Sequence, residues 1–259
     1  MRVLRLGDRG DDVLAWELFL RGQNFYWVEA DGDFDEATEA ATRDWQQDQL
    51  LRNDGVVGPK TYGKAQLLGF NPGFSDSDTS ENSPAWPPPP DFPALSSTAR
   101  RELFGIFAFR PAGLPNNPEA IVITDGWDKT NIVRAEIPQL VGIQGFAGRH
   151  ASLHVKCADQ IKAFFQAVQD EGLLGHVLTW GGSWAPRFVR GSRTYLSNHA
   201  YGTAFDINVP WNGLGVTPAL KGRRGSVREL VPIAYRFGLY WGGHFTRQDG
   251  MHFEVAKIL

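Results

Sequence analysis

At about 100–200 residues per domain, a chain of 259 residues holds one large domain or two smaller ones. Its 26 Lys and Arg against 29 Asp and Glu give a net charge of -3, which excludes a basic nucleic-acid binder. With 42% hydrophobic residues and nine Trp it can build packed cores, while the single cysteine, Cys157, excludes an intramolecular disulfide and a four-thiolate zinc knuckle.

From the N-terminus, residues 1–10 carry charge but no apolar segment of the kind a signal peptide needs. The expectation is synthesis in the cytoplasm. No apolar run reaches the ~20 residues of a membrane span. Asp11-Asp12 can cap a helix bearing Val13, Leu14, Trp16, Leu18 and Leu20, stopped by Gly22. A second helix is predicted near 35–50 from Thr38, Ala41 and Trp45, and a third from Gly58-Pro59. The pattern Asp-Gly-x-apolar-x-x-x-Thr occurs twice, at Asp31–Thr38 and at Asp54–Thr61. Each Asp-Gly pair reads as a tight turn feeding a helix.

These residues resemble a small three-helix peptidoglycan-binding domain. The match is carried by Leu6-Gly7, Gly10, Asp12-Val13, Leu20, the two Asp-Gly turns, Trp45-Gln46 and Val57-Gly58. The resemblance implies recognition of cell-wall glycan or stem peptide. Tyr26, Trp27 and Tyr62 are candidate contacts, since aromatic faces suit sugar rings; core packing is the competing reading for each.

The stretch 71–93 contains seven prolines, four of them consecutive, and a Ser/Asp-rich first half. It reads as a linker. Domain bounds of 1–70, 71–93 and 94–259 follow. Beyond the linker, Leu153, Cys157, Ile161, Phe164 and Val168 step by three and four, predicting an amphipathic helix closed by Gly172, with Cys157 as a buried thiol. His150 and His154 would share that helix. Ser226–Glu229 forms a capping box ahead of a helix to Phe237, with Pro232 requiring a kink or a later start. Strands are predicted at 120–124, 175–180, 203–209, 239–242 and 251–255. Few helical crossovers separate them. The expected architecture is a small all-α three-helix N-terminal domain followed by an α+β domain with an antiparallel sheet.

Two segments carry chemistry. A hydrolytic zinc needs three protein ligands and one open position, and His199, Asp206 and His252 supply that set. Alternation puts Asp206 with Ala204 on one strand face and His252 with Glu254 on another, so two neighbouring strands can aim a carboxylate and an imidazole into one pocket. Gly202 permits the turn that returns His199 over them. His176 and His244 have weaker claims, the second as a possible substrate contact.

The pattern Ser197-x-His199-x-x-Gly202-x-Ala204-x-Asp206, with Asp249 three positions before His252, resembles the VanY-like zinc peptidases. That family comprises D-alanyl-D-alanine carboxypeptidases and L-alanyl-D-glutamate endopeptidases. The resemblance implies one Zn2+ per chain, held by His199, Asp206 and His252, with Asp249 as general base. It also implies an upstream arginine against substrate, best matched by Arg187, with Arg190 and Arg193 competing. Ser197 and Glu254 are expected to support the ligands from behind, Glu254 alternatively being a surface carboxylate.

A wall-binding module beside a zinc peptidase implies a peptidoglycan hydrolase, expected as an endolysin-like monomer cutting the L-Ala–D-Glu bond. A D-Ala-D-Ala carboxypeptidase is the close rival, and a non-catalytic zinc-containing wall-binding protein the rival from another class. With net charge near neutral, aromatics rather than charge are the expected grip on the wall.

Overall fold

A computed structural model describes residues 1–23, 25, 27–68, 70, 86–114 and 117–259. Tyr26 and the linker segment 71–85 lie outside the described residues. Three helices form where the spacing puts them: α1 (Asp11–Gly22), α2 (Glu36–Asp48) and α3 (Pro59–Leu67). Asp35 caps α2 by accepting from Thr38 N, and Pro59 opens α3. The α1 cap differs from expectation. Gly10 holds that position without a side-chain bond, and Asp12 pairs with Arg2 instead, at 2.9 Å.

The core of these helices is aromatic. Trp16 meets Trp45, Tyr62 and Phe70 edge-on, with centroids 5.5–6.1 Å apart. Tyr62 is a correction to the wall-contact set. Its ring stacks on Phe70, its hydroxyl donates to the Arg2 carbonyl at 2.9 Å, and 3% of it is exposed. Trp27 is 59% exposed and keeps a surface position, its ring edge-on to Phe25.

The repeated Asp-Gly turns share a fixture that the repeat pattern does not contain. Gly32 and Gly55 adopt φ of 84° and 73°, which glycine tolerates without strain. Buried Glu17, next to Trp16, accepts from Gly32 N at 2.8 Å, Asp31 N at 3.1 Å and Thr38 Oγ1 at 3.1 Å. Buried Gln46, next to Trp45, accepts from Gly55 N at 2.9 Å and donates to Thr61 Oγ1 at 3.1 Å. One polar side chain from the preceding helix therefore ties each turn to the helix that follows it.

The remaining elements are α4 (Ser97–Phe104), β1 (Phe109–Pro111), β2 (Ile121–Ile123), α5 (Trp127–Asn131), β3 (Ile132–Glu136), β4 (His150–His154), α6 (Ala158–Asp170), β5 (Trp180–Gly182), α7 (Asn198–Tyr201), β6 (Ala204–Ile207), α8 (Val231–Arg236), β7 (Leu239–Trp241) and β8 (His252–Val255). All strand pairs are antiparallel, and the largest sheet runs β5-β6-β8-β7. Phe164 and Phe165 of α6 pack on Phe205 and Phe253 of its two central strands.

Four local expectations change. Leu153 is in β4, fully paired with β3, so the helix begins only at Ala158 with Cys157 at its N-cap. His150 and His154 are therefore strand residues, the first exposed and the second buried. The 175–180 strand is a 3-10 turn over Leu174–His176; Thr179 makes one parallel bridge to Gln144, and the strand proper starts at Trp180. Ser226 does not cap α8, which starts at Val231 with Pro232 in its first turn. Proline cannot donate to a preceding turn, so the later start is the unstrained one.

Contacts divide the described chain into two compact units, one of 1–88, 208–228 and 243–251, the other of 89–207, 229–242 and 252–259. No described helix is long and apolar enough to cross a membrane.

Burial pushes the Glu17 carboxyl up to about 7, against the opposing hydrogen bonds from Gly32, Thr38 and Asp31. A carboxyl raised on folding gives stability that is full below about pH 4.5 and is lost as pH rises through about 7, on the order of 3 kcal/mol. Glu17→Gln, which copies Gln46, is expected to flatten the pH dependence of N-terminal unfolding; denaturant titrations between about pH 5 and 8 measure this. An unchanged slope would reject it.

Candidate metal centre

The site is built from one short helix and two adjacent strands. Ser197 caps α7, its Oγ accepting from His199 N at 3.3 Å, and Gly202 ends the helix at φ 67°. Glycine is needed here twice over, because a Cβ would also stand 2.9 Å from His154 N. The turn hands the chain to β6, where Asp206 pairs across the ladder with His252 of β8. The one-residue alternation turns Phe205 and Phe253 to the opposite side, against each other and α6.

Three buried ligand atoms converge. His199 Nε2 lies 3.1 Å from Asp206 Oδ1 and 3.1 Å from His252 Nδ1, and His252 Nδ1 lies 3.0 Å from Asp206 Oδ1. The outer nitrogens decide the tautomers. His199 Nδ1 faces the Ser183 carbonyl at 2.6 Å, so it carries the proton and leaves Nε2 as an acceptor. His252 Nε2 donates to Glu254 Oε2 at 3.0 Å, leaving Nδ1 as an acceptor. Two lone pairs and a carboxylate thus face one another, an arrangement that requires positive charge between them. Bonds of about 2.0–2.1 Å in a tetrahedral zinc site put ligand atoms roughly 3.3 Å apart, close to this spacing. The residues fit such an ion.

Electrostatics agree. Burial alone would raise the Asp206 carboxyl, but the charges and hydrogen bonds of His199 and His252 hold it far below the usual carboxylate range. Burial alone would lower the His252 imidazole, but Asp206 and Glu254 outweigh it and push it up to about 10. The cluster attracts a cation, and a proton competes for the same place.

Asn198 is a residue that the motif leaves open. It is buried, its Nδ2 donates to the Glu254 carboxylate, and its carbonyl accepts from Thr203 N at 3.3 Å and Oγ1 at 3.2 Å. It fixes Glu254, which fixes His252. Nothing in its spacing marks it, because the partner is 56 positions away. The Ser183 carbonyl is a backbone group and leaves no side-chain signal either.

The other candidates fall out as follows. Backbone bonds from Ala185 N to His199 O and from Ser197 N to Arg187 O, both 3.0 Å, lay the 183–187 segment along α7. Arg187 itself is half-buried and donates to the Phe188 carbonyl at 3.2 Å. Arg190 is engaged elsewhere, 2.7 Å from Glu119 Oε2; burial would raise that carboxyl, but Arg190 and Gly191 N hold it below its ordinary range. Arg193 is exposed. Asp249 stands three residues before His252 and pairs through its backbone with Leu214. Burial lowers His154 to about 4, so it is a neutral core imidazole, beside Phe104 and Trp127. Cys157 is buried, with its thiol pushed up to about 12.

Residues 190–255 match the family model described as D-alanyl-D-alanine carboxypeptidase, and residues 9–64 match that of a putative peptidoglycan binding domain. No curated protein matches the chain. The first match spans the His199–Asp206 motif and the Asp249–His252 motif, and the second spans α1, α2, the first part of α3 and both Asp-Gly turns. Over these two segments the chain is thus similar to a putative peptidoglycan binding domain and to the D-alanyl-D-alanine carboxypeptidase family.

Asn198→Ala is expected to weaken zinc binding by about tenfold to a hundredfold in a chelator competition. Equal affinity would remove Asn198 from this role. In the unaltered chain, zinc affinity should fall between about pH 8 and 6, since protons and metal compete for His252 Nδ1. A flat profile would contradict the assignment.

Proposed function

We propose that this cell-wall peptidase is zinc-dependent and hydrolyses the peptide stem of peptidoglycan, with the L-Ala–D-Glu bond as its target. The observation that carries the metal reading is the convergence of His199 Nε2, Asp206 Oδ1 and His252 Nδ1, each buried and each with its acceptor side turned inward. The wall enters through the peptidoglycan-binding match over 9–64.

His199, Asp206 and His252 hold the ion, and the Ser183 carbonyl and Glu254 keep both imidazoles in the binding tautomer. When bound, zinc supplies Lewis acidity, polarising a carbonyl and bringing water towards a pKa of about 7. Asp249 takes the proton of the attacking water on its carboxylate and returns it to the leaving amine. Arg187 meets the substrate carbonyl oxygen as negative charge develops, a role its permanent cation suits. Trp27 contributes an exposed aromatic face on the wall-binding side. Tyr26 is a second candidate for wall contact.

The D-Ala-D-Ala carboxypeptidase reading is favoured by the description of the matched family. It requires a cation for the terminal carboxylate. Of the arginines at 187, 190 and 193, Arg190 already pairs with Glu119, which leaves Arg187 and Arg193 for that carboxylate.

Mass spectrometry of purified peptidoglycan after digestion with zinc-loaded protein separates the readings. New N-terminal D-Glu ends are expected; released D-Ala would establish the carboxypeptidase instead. No product from several wall chemotypes, with or without chelator, would sink both and leave a wall-binding protein. Asp249→Ala should lower turnover by at least about a hundredfold while zinc content stays near that of the unaltered chain. Retained turnover would take Asp249 out of the mechanism.

A further inference from the structure

The net charge of -3 conceals an uneven distribution. Residues 208–228 contain Lys221, Arg223, Arg224 and Arg228 and no acidic residue, so this stretch carries +4 and leaves -7 to the rest of the chain. A solvated surface normally interleaves both signs, because crowded like charges repel. Three of the four cations, Lys221, Arg223 and Arg224, are exposed. Among the described residues none of those three side chains is paired with a carboxylate.

The loop that presents them is rigidly specified. Asn208 and Asn212, both fully buried, donate to the Gly225 carbonyl at 3.1 and 2.8 Å. Asn212 Oδ1 accepts from Ala219 N at 3.0 Å, and buried Arg228 donates to the Pro218 carbonyl at 2.7 Å. Gly225, at φ 82°, lies so close over Trp211 that a Cβ would stand 2.2 Å from the ring. Arg224 then stacks its guanidinium 5.6 Å from the Trp211 ring centre. From below, the Arg228 guanidinium lies 4.6 Å over Trp86. Two further guanidiniums approach the same loop at Gly215, where a Cβ would meet Arg21 Nε at 3.8 Å and Arg247 Nε at 4.0 Å. Buried amides and an arginine thus fix the backbone of a turn whose exposed side chains are almost wholly cationic.

We infer that the 221–224 turn is a docking surface for the fixed carboxylates of peptidoglycan stem peptides. The inference rests on the wall as partner and goes beyond it, since it assigns a second, electrostatic grip outside the 9–64 domain. A stem peptide offers free carboxylates at repeating intervals on an immobile mesh, and a single-signed rigid turn is complementary to that array. Such attraction acts over roughly 8 Å at physiological salt and fades at higher ionic strength.

The test compares the full chain with a Lys221→Ser/Arg223→Ser/Arg224→Ser variant by co-sedimentation with peptidoglycan freed of phosphodiester polymers. At about 0.05 M salt the variant is expected to bind about tenfold more weakly, and at about 0.5 M the two should converge. Amidation of the stem carboxylates should weaken the unaltered chain to the level of the variant. Zinc content and hydrolysis of a small soluble stem peptide should be the same for both. Equal binding at low salt would overturn the inference, as would a loss confined to walls that still carry phosphodiester polymers. If the unaltered chain sediments with no wall preparation, the wall reading itself fails, and the docking surface with it.

Discussion

The pairing of Asp206 with His252 across β6 and β8 is the constraint on which the rest of the C-terminal chemistry depends. A slip of one residue would replace the carboxylate and the imidazole by Phe205 and Phe253, because alternate side chains face opposite ways. The aromatic stack of Phe205, Phe253 and α6 on the other face holds that register. Core packing and the geometry of the candidate site are therefore one specification, read from the two faces of a four-stranded sheet. His199 arrives by local means, through a one-turn helix capped by Ser197 and ended by Gly202.

Much of this was legible because strand alternation and helix caps are local. The grouping of His199, Asp206 and His252, the antiparallel class and the three N-terminal helices follow from spacing within short windows. What spacing could not carry is what comes from elsewhere in the chain. Asn198 and Glu254 are 56 residues apart and meet only because β6 and β8 are neighbours. The Ser183 carbonyl orients His199 without any side chain to announce it. Leu153 has the right period for a helix, yet five residues of pairing between β3 and β4 claim it first, and tertiary pairing outweighs period at a boundary. Tyr62 illustrates the same limit, since an aromatic that suits a sugar also suits a core.

Charge gives a parallel lesson. A net value near zero describes the sum over the chain and says little about any one surface. The aromatic grip expected from that sum overlooks the acid-free run at 208–228, in which the scaffold includes buried amides and Arg228 and the exposed residues are three cations and Gly222. In the three-helix segment the opposite economy operates. Buried Glu17 and Gln46 do equivalent jobs in two turns, one as an ionisable group and one as a neutral one. Only the first makes its turn sensitive to acidity.

Cys157 sits at the start of the helix that supports the sheet carrying Asp206 and His252, fully covered and with its thiol held in the protonated form. A thiol so placed offers neither a partner for a cross-link nor a thiolate for oxidants to attack. The covalent structure of the chain is consequently the same in a reducing compartment as in an oxidising one. A chain so built need not refold around a new bond when its redox surroundings change.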